Sequence, residues 1–128
     1  MSSIFSRIIR GELPCHKIAE NEHFIAFLDI TPLREGHTLI IPKTEIDYIF
    51  DIDDETLAQM LVFAKSVAQK IRIAIPCKRI GIAVIGLEVP HAHIHLVPMN
   101  TANDLNFTQP KLNPSQAELA ATAQKIVG

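Results

Sequence analysis

Three histidines alternate strictly within HAHIHLV: His91, His93 and His95. In an extended segment alternate side chains share a face, so neighbouring rings would lie about 6.6 Å apart and the outer pair about 13 Å apart. Ala92, Ile94 and Leu96 would point the other way, into a core. Such a row could be a plain polar strand face. It could seat a metal, since an HxH pair can place two ring nitrogens at about 2.0–2.1 Å from one zinc ion. The outer rings are too far apart to complete that shell easily, and no cysteine lies nearby in the sequence. The third possibility is chemistry at phosphorus. A neutral imidazole is nucleophilic near pH 7, and neighbouring imidazoles can donate to phosphoryl oxygens or protonate a departing group. Three rings in line match the nucleophile, oxygen-binding and leaving-group positions of an in-line displacement.

Two other residues matter once those three are on the page. His37 heads the apolar run Leu39-Ile40-Ile41, and Asp29 closes a run that reads as a strand before a turn. By residue type alone, both are ordinary surface groups. His16 and His23 stand in no pattern.

The elements that must hold these groups follow from patterning. Ser3 can cap a short helix through Ile4, Phe5, Ile8 and Ile9, with Gly11 as its stop. Extended segments are expected at Lys17 to Glu20, Phe24 to Leu28 and Thr38 to Ile41, separated by Asn21-Glu22 and by Thr31-Pro32 through Gly36. The clearest helix runs from Asp54 to Arg72, with Asp53 as its N-cap and Glu55 at the positive end of its dipole. Leu57, Met60, Leu61, Ala64, Val67, Ala68 and Ile71 follow helical spacing and predict one apolar stripe laid on a sheet. Val62 and Phe63 fall off that stripe and point to a second contact, with another subunit. Arg79 to Ile85 reads as a buried strand and His91 to Val97 as another, ended by Pro98. Asn100 to Asn113 is polar and irregular. A last helix through Leu119, Ala123 and Ile126 is expected, with Asn113 as cap and Pro114 in its first position. The expected fold is α+β: about five strands in a mostly antiparallel sheet, one long helix and shorter flanking helices. Residues 1–128 read as one domain, with 100–128 a loop and helix extension.

Composition narrows the partners. Twelve Lys and Arg against fourteen Asp and Glu give a net charge of −2, which supplies no field to gather a nucleic-acid polymer. A small phosphorylated ligand held by local groups remains open. No apolar run approaches the ~18 residues of a membrane span. Arg7 and Arg10 fall where a secretory signal would need its apolar segment. Cys15 and Cys77 form no CxxC or Cys/His cluster, so a reducing, cytoplasmic setting is expected.

HAHIHLV fits the His-x-His-x-His-x-x signature of the histidine-triad (HIT) superfamily, with x apolar. IFSRIIRGELPCHKIAENEHFIAFLDITPLREGHTLIIPK is similar to the amino-terminal half of its Hint-like branch, so the resemblance spans Ile4 to Met99. It implies that His93 attacks the α-phosphorus of a nucleotide conjugate and forms a nucleotidyl-histidine that water resolves. It implies that His95 contacts phosphate and assists the leaving group, while His91 and His37 orient and tune His93. Asp29 would bind ribose hydroxyls, a task suited to a carboxylate that can accept from both. Ile30, with Phe5, Ile8, Phe24 and Leu28, would form an apolar slot for the base. The branch further implies a homodimer, with no cofactor and no metal in the chemical step. One stretch departs from the branch, which leads into the triad with an Asn and Gly-Gln-x-Val-x-His. Here Ile85-Gly86-Leu87-Glu88-Val89-Pro90-His91 keeps Gly86, puts Leu87 in place of Gln, brings Glu88 toward the phosphate and has no evident Asn. The expected activity is hydrolysis of, or transfer from, a nucleoside phosphoramidate or related conjugate. A non-catalytic nucleotide-binding module and a zinc protein using the HxH pair are the alternatives.

Overall fold

The computed structural model describes residues 3–128. Its elements are α1 (Ile4–Ile9), β1 (Lys17–Glu20), β2 (Phe24–Leu28), β3 (Thr38–Pro42), α2 (Asp54–Ala74), β4 (Arg79–Ala83), β5 (Ile94–Met99) and α3 (Gln116–Val127). Short 3-10 turns at Ile49–Asp51 and Ala102–Leu105 complete the list. The five strands lie in the order β1-β2-β3-β5-β4, and every neighbouring pair is antiparallel. The α+β class read from the pattern is the observed one.

Period-two alternation along β2 and β3 divides the molecule into two layers. Phe24, Ala26, Leu28 and Ile40 pack with Met60, Ala64, Val67 and Ile71 of α2 and with Leu119 and Ile126 of α3. Ile25, Phe27, Leu39 and Ile41 pack on the other face against Phe5 of α1. Burying each such side chain is worth about 1.5–3 kcal/mol, so both layers hold the sheet firmly. The caps are local. Asp53 accepts from the Thr56 amide at 3.0 Å, and Ser3 Oγ accepts from the Ser6 amide at 3.0 Å.

Several expectations need correction. Leu61 stands exposed instead of facing the sheet, whereas Phe63 turns inward with its ring 5.7 Å from that of Phe24. Of the pair assigned to a second contact, only Val62 is free to make one, at 68% exposed. The strand expected over Arg79 to Ile85 ends at Ala83 and is an edge strand, with Ile82, Val84 and Ile85 exposed. Pro98 does not end its strand: β5 continues to Met99, pairing Pro98 with Ile80. Beyond Leu96, β5 pairs with β4 alone, which leaves room for a residue without an N–H. The α3 cap is Ser115, not Asn113. Its hydroxyl accepts from the Glu118 amide at 3.1 Å while the Glu118 carboxylate accepts from the Ser115 amide at 2.9 Å. No helix among the described residues is long and apolar enough to cross a membrane.

Candidate active site

The triad segment is not one continuous strand. β5 begins at Ile94, and the chain from Val89 to His93 is bent: the His91 amide donates to Val89 O at 2.8 Å and the Ala92 amide to Ile46 O at 2.7 Å. Ala92, Ile94 and Leu96 enter the core as expected. His93 and His95 open onto the opposite side, their ring centroids 4.9 Å apart. His91 does not join them at the opening. It is fully buried behind Phe5, whose ring lies edge-on to His91 at 5.9 Å and to His93 at 5.0 Å.

Hydrogen bonds assign a tautomer to each ring. The Nδ1–H of His93 donates to His91 O at 2.7 Å, so in the neutral ring it is Nε2 whose lone pair faces the cleft. His91 therefore positions His93 through its backbone carbonyl, not its ring. Its own ring donates from Nε2 to Pro42 O at 2.8 Å, and Nδ1 accepts from Ser3 Oγ at 2.8 Å. Ser3 thus caps α1 and fixes His91 with one hydroxyl. Glu45 holds this corner, its Oε1 accepting at 2.6 Å from both the Ser3 amide and Ser6 Oγ. Those donors, the Ser3 amide first, draw the Glu45 carboxyl down to about 2.

The fourth histidine completes a relay. His37 Nδ1 accepts from the Leu33 amide at 3.0 Å, which leaves the proton on Nε2, 2.9 Å from His95 Nδ1. His95 therefore presents its Nε2–H to the cleft. Burial holds these rings neutral: His37 falls to about 4 and His95 to about 3, with Lys111 adding to the lowering of both. Burial lowers His91 as well. His37 is positioned by the turn before it, where Gly36 has φ +92° and a Cβ would come within 3.1 Å of Ile75 and 3.3 Å of Pro98. Only glycine meets both demands.

A cleft of about 540 Å³ gathers the expected binding residues Asp29, Ile30, Gly86, Leu87 and Glu88 with His37, His93 and His95. Phe5, Ile8 and Leu28 line it too. Phe24 does not; strand alternation turns it into the α2 layer and places Phe27 and Leu39 at the cleft instead. Gly86, at φ +72°, turns the chain after β4, and Leu87 beside it is 88% exposed. Asp29 accepts at Oδ1 from the Thr31 amide at 2.9 Å, and Oδ2 lies 3.6 Å from His37 Nε2. With His37 neutral this is no ion pair, and Oδ2 is the oxygen left for a ligand. Burial raises the Asp29 carboxyl. Two cleft residues missed in the sequence, Phe107 and Lys111, come from the irregular segment after β5. The Phe107 ring lies 4.7 Å from that of His95.

Among the described residues, one cluster of potential metal ligands lies here, Asp29, His37 and His95, with atoms within 4.8 Å of one another. The donor set does not fit an ion. Coordination through His37 Nε2 would push its proton onto Nδ1, against the Leu33 N–H. Of the two HxH pairs, His91/His93 has both His91 nitrogens already engaged, and a metal on His95 Nε2 in His93/His95 would push that ring's proton onto Nδ1, against the His37 N–H.

Residues 10–102 match the family model of the HIT domain. The chain belongs to the HIT family. This HIT chain is 33% identical over 132 residues to the adenosine 5′-monophosphoramidase hnt1 of Schizosaccharomyces pombe, covering 98% of this chain and 96% of that one. It superposes on the Hit-like protein of Bartonella henselae, described as involved in cell-cycle regulation, with TM-score 0.85 and 28% identity over 98% of this chain and 95% of that one. It is also similar to a zinc-bound histidine triad family protein from Mycobacterium smegmatis, with TM-score 0.84 and 30% identity over 99% and 91% of the two chains.

Proposed function

We propose that this HIT protein is a nucleotidyl hydrolase or transferase that cleaves a nucleoside phosphoramidate or related conjugate through His93. One observation carries the reading: His93 Nδ1 is 2.7 Å from His91 O, a bond that in the neutral ring turns the Nε2 lone pair to the cleft beside the His95 N–H. The phosphoramidase name of the fission-yeast relative supports the same chemistry. In the first half, Nε2 bonds to the α-phosphorus and the bond to the leaving nitrogen breaks. The amine departs with one proton, drawn from solvent and passed by His95. Water then attacks phosphorus, the N–P bond breaks, and a nucleoside monophosphate leaves as one proton returns to solvent. Asp29 Oδ2 accepts from ribose, and the wall of Phe5, Ile8, Phe27 and Ile30 receives the base.

Incubation with adenosine 5′-phosphoramidate and intact-mass analysis tests this. A transient adenylyl adduct on His93, with AMP released, is the expected result. His93→Ala should lose at least about 1,000-fold in turnover while still binding AMP. Wild-type rates in that variant would remove His93 from the mechanism. A second reading, a nucleotide-binding module without turnover, is favoured by Leu87, whose exposed side chain offers phosphate no donor; binding without adduct or product would establish it. The zinc reading gains only from the Mycobacterium smegmatis neighbour, and the engaged nitrogens of His91 and His37 weigh against it.

A homodimer belongs to the same proposal. Tyr48, Phe50, Leu61, Ile82 and Val84 line an open apolar hollow beside edge strand β4. An unpaired apolar edge is a surface that a second copy can cover by strand pairing.

A further inference from the structure

The segment joining β5 to α3 lies almost wholly outside the match to the HIT domain, which stops at residue 102, yet it forms one wall of the cleft. It is tied down at both ends. Arg34 Nη1 is 2.7 Å from Asp104 Oδ2, and the same oxygen accepts from the amides of Asn100 at 2.7 Å and Thr101 at 3.1 Å. The Leu112 amide donates to Pro32 O at 2.9 Å. Between these anchors Phe107 lays its ring edge against His95 and, at 6.1 Å, against His37.

Lys111 follows Phe107 by one turn of chain, and its Nζ donates to Phe107 O at 2.7 Å. Neither Arg nor any other Lys contributes to the cleft lining. Lys17 and Lys43 are paired with Glu20, and Lys125 with Glu35; among the described residues no carboxylate pairs with Lys111. Its charge is felt by His37 and His95, the relay that ends at the leaving-group hydrogen bond. An ammonium with no counter-charge, held at the cleft by the carbonyl of the residue that packs on His95, is a receptor for an anion. Glu88 enters the cleft from the loop after β4 and makes no ion pair with it.

We propose that Lys111 is a specificity-determining residue that selects nucleotidyl conjugates whose leaving group carries a negative charge, a carboxylate on the departing amine being the simplest case. The inference rests on the hydrolase reading above. The bonds made and broken are those already described; the amine that takes up the proton keeps its carboxylate, which remains against the Lys111 ammonium until release. A charge-assisted hydrogen bond of this kind supports a preference of about tenfold or more.

The test compares two adenosine 5′-phosphoramidates, one of glycine with its carboxylate free and one of glycinamide. They break the same P–N bond and differ in one charge. Wild-type protein should give a kcat/KM ratio of about ten or more in favour of the carboxylate. Lys111→Ala should bring the ratio near one by losing the carboxylate substrate alone, Lys111→Arg should keep it, and Lys111→Glu should invert it. Equal losses on both substrates would show that Lys111 serves the shared α-phosphate and would overturn the inference; an unchanged ratio would do the same. Turnover of neither conjugate by wild-type protein overturns the hydrolase reading instead. The affinities of the two conjugates, measured by calorimetry on wild-type and Lys111→Ala protein, then decide whether Lys111 selects the carboxylate. Thermal melts confirm that the exposed substitution leaves the fold intact.

Discussion

His37 Nε2 lies 2.9 Å from His95 Nδ1, and this contact determines which nitrogen of His95 bears the proton that faces the cleft. The direction is set further back, by the Leu33 amide donating to His37 Nδ1. A backbone N–H cannot change its role, so the whole relay has one polarity.

Replacing His37 by Ala should free the His95 ring to populate both tautomers. We expect kcat to fall about 10- to 100-fold, with His37→Gln recovering part of the loss because its amide can still donate toward His95. Nitrogen-15 shifts of His95 should report Nε2–H in wild-type protein and a mixture in His37→Ala. An unmixed Nε2–H signal in the variant would contradict the relay.

Asp29→Asn should weaken AMP by about tenfold and 2′-deoxy-AMP by less, because Oδ2 is the oxygen available to ribose while Oδ1 stays with Thr31. Titration calorimetry with both nucleotides separates the cases. Equal weakening would place the carboxylate elsewhere in the ligand.

Stability should fall as the solution is acidified below neutrality. His37 and His95 titrate at about 4 and about 3 in the folded chain, below the ordinary histidine value near 6.5. Between those values the unfolded chain binds more protons than the folded one, so ΔG of unfolding rises with pH through that window and is fully restored above about 6.5. For His37 the loss is on the order of 2 kcal/mol at pH 5. Asp29, raised by burial, acts in the opposite sense. Melting temperatures between pH 4.5 and 7 check this, and a flat profile would mean the rings are not held neutral.

Ile82→Glu on β4 should give a monomer by sedimentation if two copies pair through that edge, with melting of the protomer little changed because Ile82 is 49% exposed. A wild-type protein that sediments as a monomer would set the paired-edge arrangement aside.

What could be read from the sequence was what is encoded locally. The caps at Ser3 and Asp53, the α2 periodicity and the extended runs of β2 and β3 between their turn residues all reflect neighbours within a few residues. The edge position of β4 was hidden because an unbroken apolar run looks alike whether a strand is covered by its own domain or left open. The burial of the His91 ring was hidden for another reason: its nitrogens are held by Pro42 and Ser3, the latter 88 residues away. Phe107 and Lys111 sit in a segment with no periodicity, and only the tethers to Arg34 and Pro32 bring them to the triad.

One hydroxyl, that of Ser3, both starts α1 and fixes the orientation of His91, whose carbonyl in turn anchors His93. Fraying of the first helical turn would therefore take away the hydroxyl on His91 Nδ1, leaving Pro42 O alone to hold that ring behind His93. The amides of Ser6 and Arg7 should exchange with deuterium in step with loss of adenylylation competence, making the amino-terminal turn a readout of how long the His93 site stays assembled.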